Sequence, residues 1–216
     1  MTEIDGRRLR GAASRRVVLA NAVDIASVEG LDGLSIGRLA TAARVSKSGV
    51  ATLFGTKERL QLATVEAASQ RFRETVLEPA RARPRGIRRI VALLDAWIAY
   101  SRDRVFPGGC FFNTAVADFD AKPGPVRDAI ADALESWNGY LRFSLGYAVE
   151  LGELDADADA AQLAFEFTAL LESANSRSVM TGSNEPYRLA RRALVSRLLA
   201  VGADLDVLRP LAEHGD

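Results

Sequence analysis

The stretch LSIGRLATAARVSKSGVATLFGTKERL, residues 34–60, decides how this chain is read. It divides into two short helices joined by a tight turn, followed by the start of a third. Ser35 is suited to cap the first helix, because its hydroxyl accepts a hydrogen bond from an otherwise orphaned backbone N–H. Ile36, Leu39, Ala40 and Ala43 then recur at i, i+3, i+4 and i+7, which is a single apolar stripe. Ala42 and Ala43 are small enough for a second helix to cross closely. Ser46 restarts the chain as another N-cap, and Val50, Leu53 and Phe54 give the second helix its buried side. Lys47, Ser48, Gly49, Ala51 and Thr52 are left on the other side, short or basic, as suits a surface that approaches a duplex. Thr56 caps the third helix, which opens at Lys57.

This is helix-turn-helix patterning, in which the second helix offers its N-terminal residues to base edges in the major groove while the first crosses the backbone. The same pattern also fits a helical hairpin with a solvated polar face, since helix pairs with short turns are common. Charge is unevenly spread. Residues 1–60 carry ten Lys/Arg against six Asp/Glu, a net +4, and the remainder carries −4, so the chain sums to zero. A basic head on an acidic body fits a polyanion-binding domain attached to something that avoids DNA.

The residues also resemble a family. Leu39-Ala40, Val45-Ser46-Lys47-Ser48-Gly49 and Phe54-Gly55-Thr56-Lys57-Glu58-Arg59-Leu60 are similar, in kind and spacing, to the DNA-binding domain of TetR-type transcriptional regulators. The resemblance is specific over roughly residues 14–65 and looser beyond. It implies an all-helical homodimer that reads a pseudo-palindromic operator, with an N-terminal DNA reader and a C-terminal ligand-binding domain. Three departures stand out. Arg44 occupies a turn position where the family usually has Gly; a left-handed backbone there costs a non-Gly residue roughly 1 kcal/mol. Ala51 stands where an aromatic residue is usual, and Thr52 and Leu53 where His or Tyr is frequent. Operator contacts are therefore expected from Ser35, Arg44, Ser46, Lys47, Ser48, Gly49, Thr52 and Lys57.

Outward from this stretch, residues 1–13 show no apolar period, and Arg7, Arg8 and Arg10 read as a basic arm or a solvated tail. Ser14–Glu29 reads as the first helix, with Gly30 as its stop. The helix opened at Lys57 runs to a break at Pro79 with no flexible linker, a rod rather than a tether. Helices are expected over Ile87–Arg102, Cys110–Phe119, Val126–Gly152, Asp157 to about Val179, and Glu185 to about Val201. The chain is thus all-α, with about nine helices: a three-helix head over residues 1–60 and a helical ligand-binding and dimerisation body over 61–216. Leu163, Phe165, Phe167 and Leu171 cannot all face one core, which points to a four-helix dimer interface or to a central helix of a monomer.

The aromatic and polar residues of the middle helices are the candidates for a small-molecule site: Trp97, Phe106, Cys110, Phe112, Asn113, Trp137, Tyr140, Leu141, Phe167 and Glu172. Plain core is the competing account of such aromatics. The lack of charge clusters points to an apolar or aromatic ligand. Cys110 reads as a small buried hydrophobe rather than a redox sensor. Enzyme readings fare poorly: the single His, His214, lies far from Cys110, one Cys and one His cannot build a zinc site, and no phosphate-binding glycine motif occurs. Asp155, Asp157 and Asp159 alternate like a calcium loop but lack its Gly and terminal Glu, so an acidic helix start is the simpler account. No cofactor is expected. With one cysteine, no apolar run of membrane length and no signal-like leader, the expectation is cytoplasmic. The function expected is a ligand-responsive, sequence-specific regulator, a repressor released by a small apolar or aromatic molecule. The alternative is a dimeric helical scaffold that does not bind DNA.

Overall fold

The computed structural model describes residues 3–213, and the side chains of 11–212. Arg7, Arg8, Arg10 and His214 therefore have no described side chain. Among the described residues every regular element is helical: α1 (Glu3–Glu29), α2 (Ile36–Ala43), α3 (Lys47–Phe54), α4 (Lys57–Phe72), α5 (Ile87–Arg102), α6 (Phe111–Phe119), α7 (Pro125–Glu150), α8 (Ala160–Thr181), α9 (Glu185–Leu199) and α10 (Leu205–Glu213). The all-α expectation holds, with ten helices rather than nine. The additional one is α10, whose interior Pro210 breaks the sequence pattern while Leu208 and Leu211 are fully buried.

Two boundaries differ from expectation. α1 begins at Glu3, not Ser14, so the stretch read as an arm is helical although it lacks an apolar face. After α4 the helix does not stop before Pro79. It passes through a π turn, Arg73–Leu77, and a last helical turn, Glu78–Arg81. The Glu78 N–H reaches back five residues to the Arg73 carbonyl. That wider turn lets Pro79, which has no N–H and crowds the preceding turn, enter without a break.

The chain forms two compact units: residues 1–70 with 106–131, and residues 71–105 with 132–216. In the first, α1, α2 and α3 close a small core of Val18, Ala22, Leu31, Leu34, Leu39 and Val50. The segment 106–114 is fixed against α1. Ser27 Oγ accepts from the Gly108 N–H at 3.0 Å, and its carbonyl accepts from Thr114 Oγ1 at 3.1 Å. A Cβ on Gly108 would lie 1.8 Å from the Ser27 carbonyl oxygen, so this approach demands glycine.

In the second unit α8 packs along α9, and α5 contacts α8 and α10. Asp159 caps α8, accepting from the Ala161 and Gln162 N–H groups, which gives that carboxylate of the acidic run a structural task. A buried polar network ties α5, α8 and α9 together. Ser101 Oγ donates to Asn175 Oδ1 and pairs with the Tyr187 hydroxyl, while Arg104 donates to Ser178 and Tyr187. Leu163, Phe167 and Leu171 of α8 are fully buried, whereas Phe165 is 71% exposed, as the multi-faced pattern requires.

Candidate functional site

The α2–α3 pair is built by its caps. Ser35 Oγ accepts from the Arg38 N–H and Ser46 Oγ from the Gly49 N–H at 3.0 Å, so both serines hold helix starts. Between the helices Arg44 adopts φ 54°, ψ 43°, the left-handed conformation. The Val45 N–H bonds the Ala40 carbonyl and the Arg44 N–H the Thr41 carbonyl, closing α2 in a Schellman-type turn. Arg44 takes this strained position with its side chain exposed, and no described carboxylate pairs with it.

On α3, Val50 and Phe54 are buried, and Lys47, Ser48 and Thr52 are exposed. Thr52 Oγ1 donates to the Ser48 carbonyl, and Ser48 Oγ lies 3.1 Å from Ser46 Oγ. Among the described residues no carboxylate pairs with Lys47, whose Cε and Nζ end beside Gly37. A Cβ on Gly49 would lie 3.1 Å from the capping Ser46 Oγ, a tight contact. The eight expected contact residues thus fall on one helix pair and the start of α4, with different degrees of freedom. Ser35 and Ser46 are spent on caps, Lys47 and Arg44 are available, and Lys57 is held: its Nζ donates to Asp32 Oδ1 at 2.9 Å.

Asp32 is a residue that sequence reasoning misses. It also accepts from Lys122 Nζ at 3.0 Å, so one carboxylate joins the α1–α2 loop, the start of α4 and the α6–α7 loop. The hydrogen bonds from Lys57 and Lys122 hold its pKa down at about 2. Lys122 lies ninety residues from Asp32, and no local spacing announces the pair.

The residues expected to line a ligand site fall into separate groups. In the first unit, Phe106 and Phe112 flank Phe111, with ring centroids 5.9 and 5.3 Å from it, and Cys110 is buried in the same segment with Asn113 partly buried. In the second unit, Trp97 and Trp137 belong to one aromatic cluster with Phe72 and Tyr100. Leu141 and Phe167 are buried core, and Tyr140 instead lies under the Arg81 guanidinium. Glu172 lines a groove of about 320 Å³ between α7 and α8, together with Asn138, Arg142, Phe165 and Thr168. Burial raises the Glu172 pKa. Among the described residues no group of His, Cys, Asp and Glu is arranged to hold a metal ion.

Residues 86–194 match the family model described as the tetracyclin repressor-like C-terminal domain, which is half of the chain. The chain belongs to the TetR family of transcriptional regulators. Solved structures of TetR-family regulators share this fold. One from Chloroflexus aurantiacus is 24% identical, with a TM-score of 0.82 over 88% of this chain and 96% of the other. One from Cytophaga hutchinsonii is 18% identical, with a TM-score of 0.78 over 90% and 98%. AibR, solved in complex with isovaleryl coenzyme A and operator DNA, is 20% identical, with a TM-score of 0.64 over 76% and 86%. None of the curated proteins matches the chain in sequence. The family match falls on the C-terminal part, so within this TetR-family chain the helix-turn-helix assignment rests on the geometry of α2 and α3 and on the fold. No described helix is long and apolar enough to cross a membrane.

Proposed function

We propose that this TetR-family regulator is a ligand-responsive repressor: residues 1–60 read a pseudo-palindromic operator, and residues 61–216 bind a small apolar or aromatic effector and dimerise. It acts in the cytoplasm and carries out no turnover. The observation that carries the reading is the exposed face of α3. Lys47, Ser48 and Thr52 stand on a helix whose opposite side is locked into the head, and no described carboxylate pairs with Lys47. That is how a helix-turn-helix presents base and phosphate contacts. Ser35, Ser46 and Gly49 shape the approach, Arg44 supplies a further cation, and Lys57 reaches phosphate by exchanging Asp32 for it.

Dimerisation through α8 and α9 is supported by the apolar residues those helices leave in water: Phe165, Val179, Met180, Leu189 and Leu199. A two-fold dimer sets its two α3 helices about 34–36 Å apart, one turn of DNA. The effector then acts by favouring a conformation with a different spacing, and only to the extent that it binds the two conformations unequally. AibR, crystallised with both an acyl-coenzyme A and operator DNA, is a fold relative in which ligand and operator meet one protein.

The test is a titration of the purified protein against its own upstream intergenic DNA at two salt concentrations, with footprinting. A protected pseudo-palindrome and steep salt dependence are expected. Lys47→Ala should weaken binding and lower the slope of log K against log salt by about 0.9 for each phosphate that the lysine neutralises in the wild type. A Lys47→Ala slope equal to wild type removes Lys47 from the interface. Absence of salt-dependent binding to any duplex, in a genome-wide selection of bound sequences, leaves the scaffold reading in its place.

A further inference from the structure

Trp137 is 6% exposed, and its indole Nε1 finds no acceptor among the described residues. Tryptophan is normally placed so that its N–H meets a partner, and a buried donor without one is destabilising. The ring itself is well held. Phe72 meets Trp137 edge-on at 5.5 Å and meets Tyr100 edge-on at 5.4 Å, and Tyr100 lies 6.1 Å from Trp97. The two tryptophans of the chain therefore belong to one cluster, drawn from α4, α5 and α7. Phe72 is also the last residue before the π turn Arg73–Leu77. Such turns interrupt the regular ladder and recur at functional sites. An aromatic cluster that aims an indole donor inward, with the Tyr100 hydroxyl as a second polar group in its wall and a π turn beside it, has the composition of a small-molecule site: aromatic walls with a few polar groups that set orientation.

We propose that the effector carries a carbonyl or ether oxygen on an aromatic or aliphatic body, and that this oxygen accepts the hydrogen bond of Trp137 Nε1 among Phe72, Tyr100 and Trp97. This rests on the effector-responsive reading and narrows it, from an apolar molecule to an apolar molecule with one acceptor. The chemistry is discriminating. A ligand of the right shape without the oxygen enters the cluster but leaves the donor unpaired, so the site prefers the oxygenated member of a matched pair.

The experiment uses the full chain and two probes that differ only in the acceptor, benzophenone and diphenylmethane. The Trp137 indole ¹H–¹⁵N resonance is assigned by comparison with Trp97→Phe. In the free protein it should sit upfield, as for an N–H without a strong acceptor, and benzophenone should move it downfield while diphenylmethane does not. Binding followed by indole fluorescence should favour benzophenone by roughly tenfold. Trp137→Phe, which keeps a ring and deletes the donor, should equalise the two probes, with binding followed by thermal shift. A resonance already downfield in the free protein means that an internal water or a chain acceptor satisfies the N–H, and overturns the proposal. So does a resonance that ignores benzophenone, or an unchanged preference in Trp137→Phe. Operator binding is measured on the same samples. Intact footprints with a failed indole response sink this inference alone, and absent footprints with a positive response sink the repressor reading and leave the ligand site standing.

Discussion

Arg44 places a long, charged side chain where the backbone is left-handed, at φ 54°. An L-residue pays roughly 1 kcal/mol for that conformation, and glycine does not. No ion pair to a described residue compensates through the guanidinium. Arg44→Gly should therefore stabilise the free protein by about 1 kcal/mol, read as a raised denaturant midpoint at unchanged m-value. The same variant should weaken operator binding, because it removes a cation beside α3. A variant that is neutral or destabilising in the free state would mean that Arg44 is held by contacts the left-handed turn needs. The turn is legible in the sequence because the resemblance marks one glycine-preferring position there, and the caps Ser35 and Ser46 are legible because capping is a rule of three residues. The orphan N–H of Trp137 is not: Trp137 can be named as a ring in a candidate site, but whether a donor meets an acceptor depends on neighbours from three helices.

At the scale of elements, what the sequence makes visible follows its apolar period, and what it hides lies where that period fails. α2, α3 and α5 have strong stripes and fall within a residue or two of where the pattern puts them. The start of α1 and the whole of α10 lack a clean pattern, one for want of apolar residues and the other because of Pro210. Pro79 marks a break that the π turn absorbs. The joints between elements are less visible still, and Asp32 is the clearest case. Its folded pKa of about 2 lies below the ordinary 3.8, so its contribution to stability is fully present above pH 3.8 and fades as pH falls towards about 2. Asp32→Asn should lower the unfolding temperature at pH 7, with the difference from wild type closing across that acid window. The carboxylate is half-exposed, so solvent screening limits the effect to at most about 1 kcal/mol, smaller again in high salt. The variant also removes the charge partner of Lys57 and Lys122. If Lys57 contacts phosphate, operator affinity should rise while stability falls. A fall in both assigns the Asp32 bridge to holding the head in its binding shape.

In the molecule as a whole, α8 and α9 carry an uncovered apolar face. Single exposed apolar residues are ordinary. Here Phe165 is 71% and Met180 85% exposed, with Val179, Leu189 and Leu199 on the same two packed helices, and these do not resemble a surface adapted to water. A second copy is the cover that the proposed function calls for, because the two-fold operator proposed there needs a two-fold protein and an isologous contact uses one patch twice. A stable dimer needs about 1,200–2,000 Å² of buried surface. The double variant Phe165→Glu/Met180→Glu puts like charges into the proposed contact without touching buried core. Sedimentation equilibrium should find wild type at twice the 23.3 kDa chain mass and the variant at 23.3 kDa, with helix content unchanged by circular dichroism. Operator affinity should fall steeply in the variant, because two half-sites read by separate heads lose the gain of a linked pair. If wild type is monomeric at micromolar concentration, or if the variant stays dimeric, then the exposed face of α8 and α9 is not where two copies meet.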